Sequence, residues 1–121
     1  MVNPMQNPDF IYKVAARDIY EASVAAGRFL GQPIDHADGY IHLSTAEQLG
    51  ETIRLYFAGL KGQVLFQIAA PPLGAALRWE ASRGGALFPH LYGQLAMADI
   101  TNVAHVDVPD DGLLQLPDWV K

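Results

Sequence analysis

The chain has 121 residues, half of them hydrophobic, and it contains no cysteine. This length and composition predict one folded domain, 1–121, with a core over about residues 10–108 and a C-terminal tail, 109–121, docked onto it. The absence of cysteine excludes disulfides, thiolate metal sites and cysteine nucleophiles. The formal net charge of -5 argues against general nucleic-acid binding, which requires a basic surface.

Two further features concern location. The first ten residues are polar and lack the basic and apolar regions of a signal peptide. Polar Gln67 and the Pro71-Pro72 pair interrupt the most apolar stretch, so no membrane span is expected. We therefore expect a cytoplasmic protein that does not associate with membranes. No feature of the sequence marks a dimer face, and the oligomeric state stays open.

The first predicted elements are a strand and a helix. Residues 10–15 are rich in aromatic and β-branched side chains, as is typical of a strand. The expected environment of Lys13 is solvent at an edge strand, although an inward Lys13 would be a candidate ligand-binding group. Residues 18–27 are predicted to form a helix that begins at Asp18 and ends at Gly27.

The central stretch, residues 35–47, is predicted to run from a turn into a strand and then into a helix. Alternation along the strand places Tyr40, His42 and Ser44 on one face and the two aliphatic residues between them on the core face. Ser44 is the predicted N-cap of the next helix, with Glu47 completing a capping box. A polar strand face that leads into a helix start is a candidate ligand site.

The second half contains one helix and several strands. An apolar stripe predicts a helix over residues 45–60. The nearly continuous apolar run 64–69 is typical of a strand covered on both faces. Residues 77–81 and 100–108 are further predicted strands. These elements predict an α+β fold, with a mixed, mostly antiparallel β-sheet and two helices packed against it.

Further candidate groups lie on the later strands. Arg78 and Glu80 share one face of strand 77–81, and His90 and Tyr92 share a face if residues 88–93 are extended. Arginine can clamp a phosphate, histidine can bond to a hydroxyl or phosphate, and an aromatic ring can stack on a base. A structural explanation also exists for these residues: Arg78 and Glu80 can pair with each other, and Tyr92 can anchor a loop.

The chain resembles a known family at Asp35 and at three segments, 38–45, 78–80 and 88–93, which read DGYIHLST, RWE and FPHLYG. It is similar there to the small bacterial and plant proteins grouped as domain of unknown function 952, and the resemblance covers residues 10–108. That family has no established activity. It is similar in fold to the ADP-ribosyltransferase group, which includes the RNA 2′-phosphotransferases.

The resemblance implies an ADP-ribosyltransferase-like fold and a nucleotide-type site. The segment Ile41-His42-Leu43-Ser44 matches a His-hydrophobic-Ser pattern of that group, which would put His42 near the ribose or phosphate of a bound NAD. One departure is on the first strand, where those enzymes often carry His or Arg and this chain has Ile11-Tyr12-Lys13. Glu80 is the nearest candidate for their catalytic glutamate by character, but not by a matched motif.

Three functional hypotheses follow. The first is a pocket for NAD, ADP-ribose or another nucleotide, with ADP-ribosyl or phosphoryl transfer and NAD as the cofactor to test. Its catalytic candidates are His42 and Glu80. Its ligand-binding candidates are Lys13, Tyr40, Ser44, Arg78, His90 and Tyr92.

The second hypothesis is a non-catalytic module that uses the same groups to hold a small molecule or a protein. The third is metal-assisted hydrolysis. The side chains available for it are His36, His42, His90 and His105 with Asp35 or Asp38. Their spacing matches no zinc signature, so no metal ligand is assigned. His42 can also be a strand histidine bonded to backbone, and Ser44 can be only a helix cap.

Overall fold

A computed structural model describes residues 7–121, so most of the segment in which a signal peptide was not expected lies outside the described residues. The strands are β1 (Phe10–Ala16), β2 (Ile41–His42), β3 (Gln63–Ala69), β4 (Leu77–Ala81), β5 (Leu87–Leu91) and β6 (Ile100–Val106). The α-helices are α1 (Arg17–Ala26), α2 (Pro33–Asp38) and α3 (Ala46–Tyr56). Three short 3-10 turns lie before β4, β5 and β6.

The first sheet has the strand order β1-β3-β6, and both pairings are antiparallel. Its central strand β3 is buried along almost its whole length, as its continuous apolar sequence predicts. On one face, Phe66 packs with Tyr20 of α1 and with Phe29. On the other face, Leu65 packs with Leu49 and with other residues of α3. The sheet therefore lies between two apolar clusters.

The second sheet has the order β2-β5-β4 and is also antiparallel. It meets the first sheet at a backbone bridge in which Tyr12 and Ser44 exchange hydrogen bonds of 2.8 and 3.0 Å. The α+β class and the antiparallel pairing are confirmed, whereas the single mixed sheet is wrong. The strand predicted over 40–44 follows β5 as far as Leu43, whose N–H bonds to Pro89, and then crosses to β1 at Ser44.

The first helix begins and ends within one residue of its predicted position. Gly27 ends α1 in the left-handed conformation (φ 78°), which glycine adopts without a Cβ clash. The short helix α2 was not predicted. It begins with Pro33 in its first turn and is capped by reciprocal bonds between Gln32 and Asp35.

The predicted start of α3 is wrong by one residue. Thr45, not Ser44, is the N-cap, because its hydroxyl accepts from the Gln48 N–H while the Gln48 side chain accepts from the Thr45 N–H. The helix ends at Tyr56, four residues before the predicted end. Leu60, the last residue of the predicted helix, lies outside α3 and is exposed.

The residues after β6 run across β1 and β3. The Gln67 side chain donates to the Trp119 carbonyl at 2.8 Å, and the Trp119 ring stacks on Tyr12 with centroids 6.4 Å apart. Leu114, Leu116 and Val120 pack against the apolar cluster beneath them. Within residues 7–121, no helix has both the length and the apolar character needed to cross a membrane.

Candidate functional site

A cleft of about 520 Å³ opens beside the bridge between Tyr12 and Ser44, between β1, α3 and the second sheet. We refer to it as the cleft. The polar side chains that line it are Lys13, Gln32, Asp38, His42, Ser44, Thr52, Ser82, Arg83 and His90. Its apolar walls include Leu49, Tyr56, Phe57 and Phe88. The cleft thus combines a cluster of polar groups with an aromatic wall.

Lys13 is buried in the wall of the cleft, with 6% of its surface exposed, so its expected solvent environment is wrong. Its ammonium donates to Asp35 Oδ1 at 3.1 Å and to the His42 carbonyl at 2.7 Å. The reason is that the second sheet and α2 cover β1 on this side. Burial lowers the pKa of Lys13, although the neighbouring Asp35 charge opposes the shift.

Asp35 is the acceptor that organises this wall. Besides Lys13, its Oδ1 accepts the His42 backbone N–H at 3.0 Å and contacts His42 Nδ1 at 2.7 Å, while Oδ2 accepts the Gln32 N–H at 2.8 Å. Burial works to raise the pKa of Asp35, but the hydrogen bonds from His42 and the Lys13 charge outweigh it and lower the pKa to about 2. Asp35 is therefore charged at neutral pH.

The Asp35 charge predicts a loss of stability in acid. Because the folded-state pKa of about 2 lies below the usual 3.8, the stabilisation is complete above pH 4 and is lost as the pH falls through 2. A shift of this size corresponds to about 2 kcal/mol. We expect the difference in urea-unfolding free energy between wild type and Asp35→Asn to shrink by this amount between pH 5 and pH 2. An unchanged difference would contradict the assignment.

His42 lies between two carboxylates. Nδ1 contacts Asp35, and Nε2 contacts Asp38 Oδ2 at 2.8 Å. Both nitrogens carry a hydrogen only in the imidazolium form, so that form satisfies both contacts. Both ring nitrogens of His42 are therefore engaged, and neither is free for a ligand in the cleft.

A second group of predicted residues lies on β4, β5 and the segment before β2. Glu80 Oε1 accepts the Tyr92 hydroxyl at 2.7 Å and contacts His90 Nδ1 at 2.8 Å, and these bonds lower the pKa of Glu80. Tyr40 stacks on His90, with centroids 4.2 Å apart. The Arg78 guanidinium lies 4.5 Å from the centre of the Tyr92 ring. This arrangement bonds Glu80 to its neighbours on the sheet.

The predicted residues therefore divide into two sets. Four of them line the cleft: Lys13, His42, Ser44 and His90. The other four lie beside it and are not among its lining residues: Tyr40, Arg78, Glu80 and Tyr92. His90 joins the two sets, because it lines the cleft and bonds to Glu80. A smaller depression of about 280 Å³ lies next to Tyr40.

Two lining residues, Thr52 and Arg83, were missed by sequence reasoning. Arg83 Nη1 donates to Thr52 Oγ1 at 3.3 Å, and Thr52 Oγ1 lies 3.3 Å from Ser44 Oγ. The hydroxyl of Ser44 thus faces Thr52 rather than capping the helix. The sequence feature that could have drawn attention to Arg83 is the Gly84-Gly85 pair that follows it. Both glycines have positive φ angles and form a tight turn beside the cleft.

The four histidines of the metal hypothesis do not form one cluster. His42 and His90 are opposite each other in register, but His105 is exposed on β6. In the part of the chain that the structure describes, no three histidine, aspartate or glutamate side chains are grouped to hold a metal ion. The geometry therefore offers no support for metal-assisted hydrolysis.

Comparison with known proteins identifies the family. The family model described as "Protein of unknown function (DUF952)" matches residues 14–103. The chain belongs to this family. A comparison with curated proteins gives no match.

Two solved structures similar to this DUF952 chain are of protein CC0527 from Caulobacter crescentus. Its X-ray structure is 48% identical, with 92% of this chain and 97% of that chain covered and a TM-score of 0.85. Its solution NMR structure is 47% identical, with 88% and 91% covered and a TM-score of 0.76. Neither description names an activity or a ligand. Similarity to the ADP-ribosyltransferase group therefore stays a prediction.

Proposed function

We propose that the cleft binds a small anionic ligand of the nucleotide class, with a phosphate at Arg83. One observation carries the proposal: some of the basic side chains in the cleft are paired with a carboxylate, and one is not. Lys13 is paired with Asp35, and His42 lies between Asp35 and Asp38. Arg83 has no carboxylate partner among residues 7–121. The cleft thus contains one cation that is free to pair with a ligand.

The neighbours of Arg83 suit a phosphate. The guanidinium is planar and can bond to two phosphate oxygens at once, and such charge-assisted bonds are stronger than neutral ones. The hydroxyls of Thr52 and Ser44 continue from Arg83 along the cleft and add donors for further oxygens.

The apolar wall suits the planar part of such a ligand. Tyr56 lines the cleft with 63% of its surface exposed, and Phe88 lies beneath the Arg83 guanidinium, 5.0 Å from ring centre to carbon. An exposed aromatic ring can stack on a base. The volume of the cleft also falls within the range of about 300–1,000 Å³ that is usual for ligand sites.

The geometry favours ligand binding over ADP-ribosyl transfer. In that reaction a carboxylate would have to lie against the ribose, and Glu80 was the candidate. Glu80 is bonded to His90 and Tyr92 and does not line the cleft. We therefore keep NAD and ADP-ribose as ligands to test, without assigning ADP-ribosyl transfer to Glu80. The alternative function is a non-catalytic module that holds a protein or another small molecule.

Substitution of Arg83 is expected to weaken binding about 10- to 100-fold, because a charge-assisted hydrogen bond contributes about 1.5–3 kcal/mol. Isotope-labelled protein would be titrated separately with NAD, ADP-ribose and a short 2′-phosphorylated RNA, and amide shifts recorded. We expect shifts at Ser44, Thr52 and residues 82–85 for wild type, and a correspondingly higher Kd for Arg83→Gln.

The matched control is Arg17→Gln, which removes an exposed arginine that pairs with Glu21 on α1. Its Kd should equal that of wild type. The proposal is wrong if none of the three ligands produces shifts at millimolar concentration, or if Arg83→Gln and Arg17→Gln bind equally well. Shifts with inorganic phosphate but with none of the nucleotides would also exclude the nucleotide class.

A further inference from the structure

The two histidines that face each other across β2 and β5 have different hydrogen-bonding states. His42 uses both ring nitrogens on carboxylates. His90 uses only Nδ1, which contacts Glu80. The two ring centres are 5.7 Å apart, and Tyr40 stacks on His90 and lies tilted against His42. The two histidines therefore differ in whether a ring nitrogen is left for a ligand.

The second nitrogen of His90 is available to a ligand. His90 is only 3% exposed, yet it lines the cleft. Nε2 has no hydrogen-bond partner among the described residues. It keeps some solvent exposure, because Trp79 Nε1 is the one fully buried side-chain nitrogen or oxygen without a partner in residues 7–121. Because His90 lines the cleft and its Nδ1 is engaged, Nε2 is the ring nitrogen left for a ligand there.

The state of that nitrogen follows from Glu80. A charged carboxylate can only accept, so its contact with Nδ1 requires a hydrogen on Nδ1. In the neutral ring, Nε2 then carries a lone pair. The Tyr92 hydroxyl donates to the same oxygen and holds the carboxylate in place. The Glu80 carboxylate therefore fixes which His90 nitrogen carries the hydrogen.

We propose that His90 is the proton-accepting residue of the cleft and that Glu80 is the residue that positions it. The role of His90 depends on the proposed nucleotide site only for the identity of the proton donor, which would be a hydroxyl of the bound ligand. In the transfer, the O–H bond breaks, the proton moves to Nε2, and the electron pair stays on the oxygen. Glu80 then stabilises the imidazolium that forms.

The proposal reverses the roles expected from sequence. Glu80 was a candidate catalytic residue and His90 a ligand-binding one, whereas Glu80 here acts through His90. His42 is excluded as the acceptor because both of its nitrogens are engaged. The substrate class is an anionic ligand that also carries a hydroxyl, such as a ribose phosphate.

The test is the tautomer of His90, read from long-range proton–nitrogen NMR spectra of the whole chain at neutral pH. We expect the hydrogen of the neutral His90 ring to lie on Nδ1. In Glu80→Leu, the carboxylate that accepts from Nδ1 is gone, so hydrogen should appear on Nε2. Tyr92→Phe keeps the carboxylate and should keep the hydrogen on Nδ1. A purely structural role for Glu80 would not produce this pattern.

A hydrogen on Nε2 of wild-type His90, or no change in Glu80→Leu, would overturn the proposal. Addition of ADP-ribose separates the two inferences. If it binds in an Arg83-dependent way while the Nε2 signal does not move, His90 is not the acceptor and the binding site stands. If the tautomers are as expected and no nucleotide binds, the ligand class is wrong and the assignment of His90 stands.

Discussion

Replacing Asp35 with alanine is expected to lower the free energy of unfolding by about 3–5 kcal/mol, because it leaves a buried ammonium without its counter-charge. Lys13 is 6% exposed and pairs with Asp35 at 3.1 Å. The same substitution removes the acceptor for the backbone N–H groups of Gln32 and His42. The start of α2 and its approach to β2 should therefore loosen together.

The measurement is urea denaturation at neutral pH, with Asp38→Ala as the matched control. Asp38 also bonds to His42 but is exposed, so its loss should cost at most about 1 kcal/mol. Adding Lys13→Met to Asp35→Ala should restore part of the lost stability, because the uncompensated charge is then gone. Equal losses in the two aspartate variants would show that the buried pair has no special role.

The features that the sequence predicts correctly are those set by local patterns. Ile41 and Leu43 face the core because side chains in a strand alternate, and His42 consequently points away from it. Gly27 ends α1 because a left-handed backbone favours glycine. The apolar run in β3 predicts a strand covered on both faces, and that strand is the centre of its sheet. Each of these follows from residues close together in the chain.

The features that sequence reasoning misses depend on distant partners. Lys13 is buried because Asp35, 22 residues later, accepts from it. The helix that carries Asp35 has six residues, too few to show an apolar stripe. Arg83 reaches Thr52, 31 residues earlier, through a glycine turn that reads as an ordinary loop. The candidate strands and histidines could be recognised from the sequence. Which charged side chains of the cleft pair with each other could not.

The second large effect is expected in the core that supports the cleft. Phe66 is fully buried at the centre of β3, and its ring packs 5.3 Å from Tyr20 and 5.4 Å from Phe29. The Phe29 ring in turn lies 5.9 Å from the Lys13 ammonium. Phe66→Ala removes the central member of this aromatic group, and the rigid sheet around it cannot collapse fully into the space.

We expect Phe66→Ala to lower the free energy of unfolding by about 3–5 kcal/mol, which combines lost burial with the cost of the cavity. Urea denaturation measures it. Phe66→Leu leaves a smaller cavity and should cost less. Phe10→Ala, at the partly exposed start of β1, is the surface control and should cost least of the three. If Phe66→Ala lowered the free energy of unfolding no more than Phe10→Ala, Phe66 would not be the centre of the core. The packing of Phe66 on Phe29 would then not be what supports Lys13.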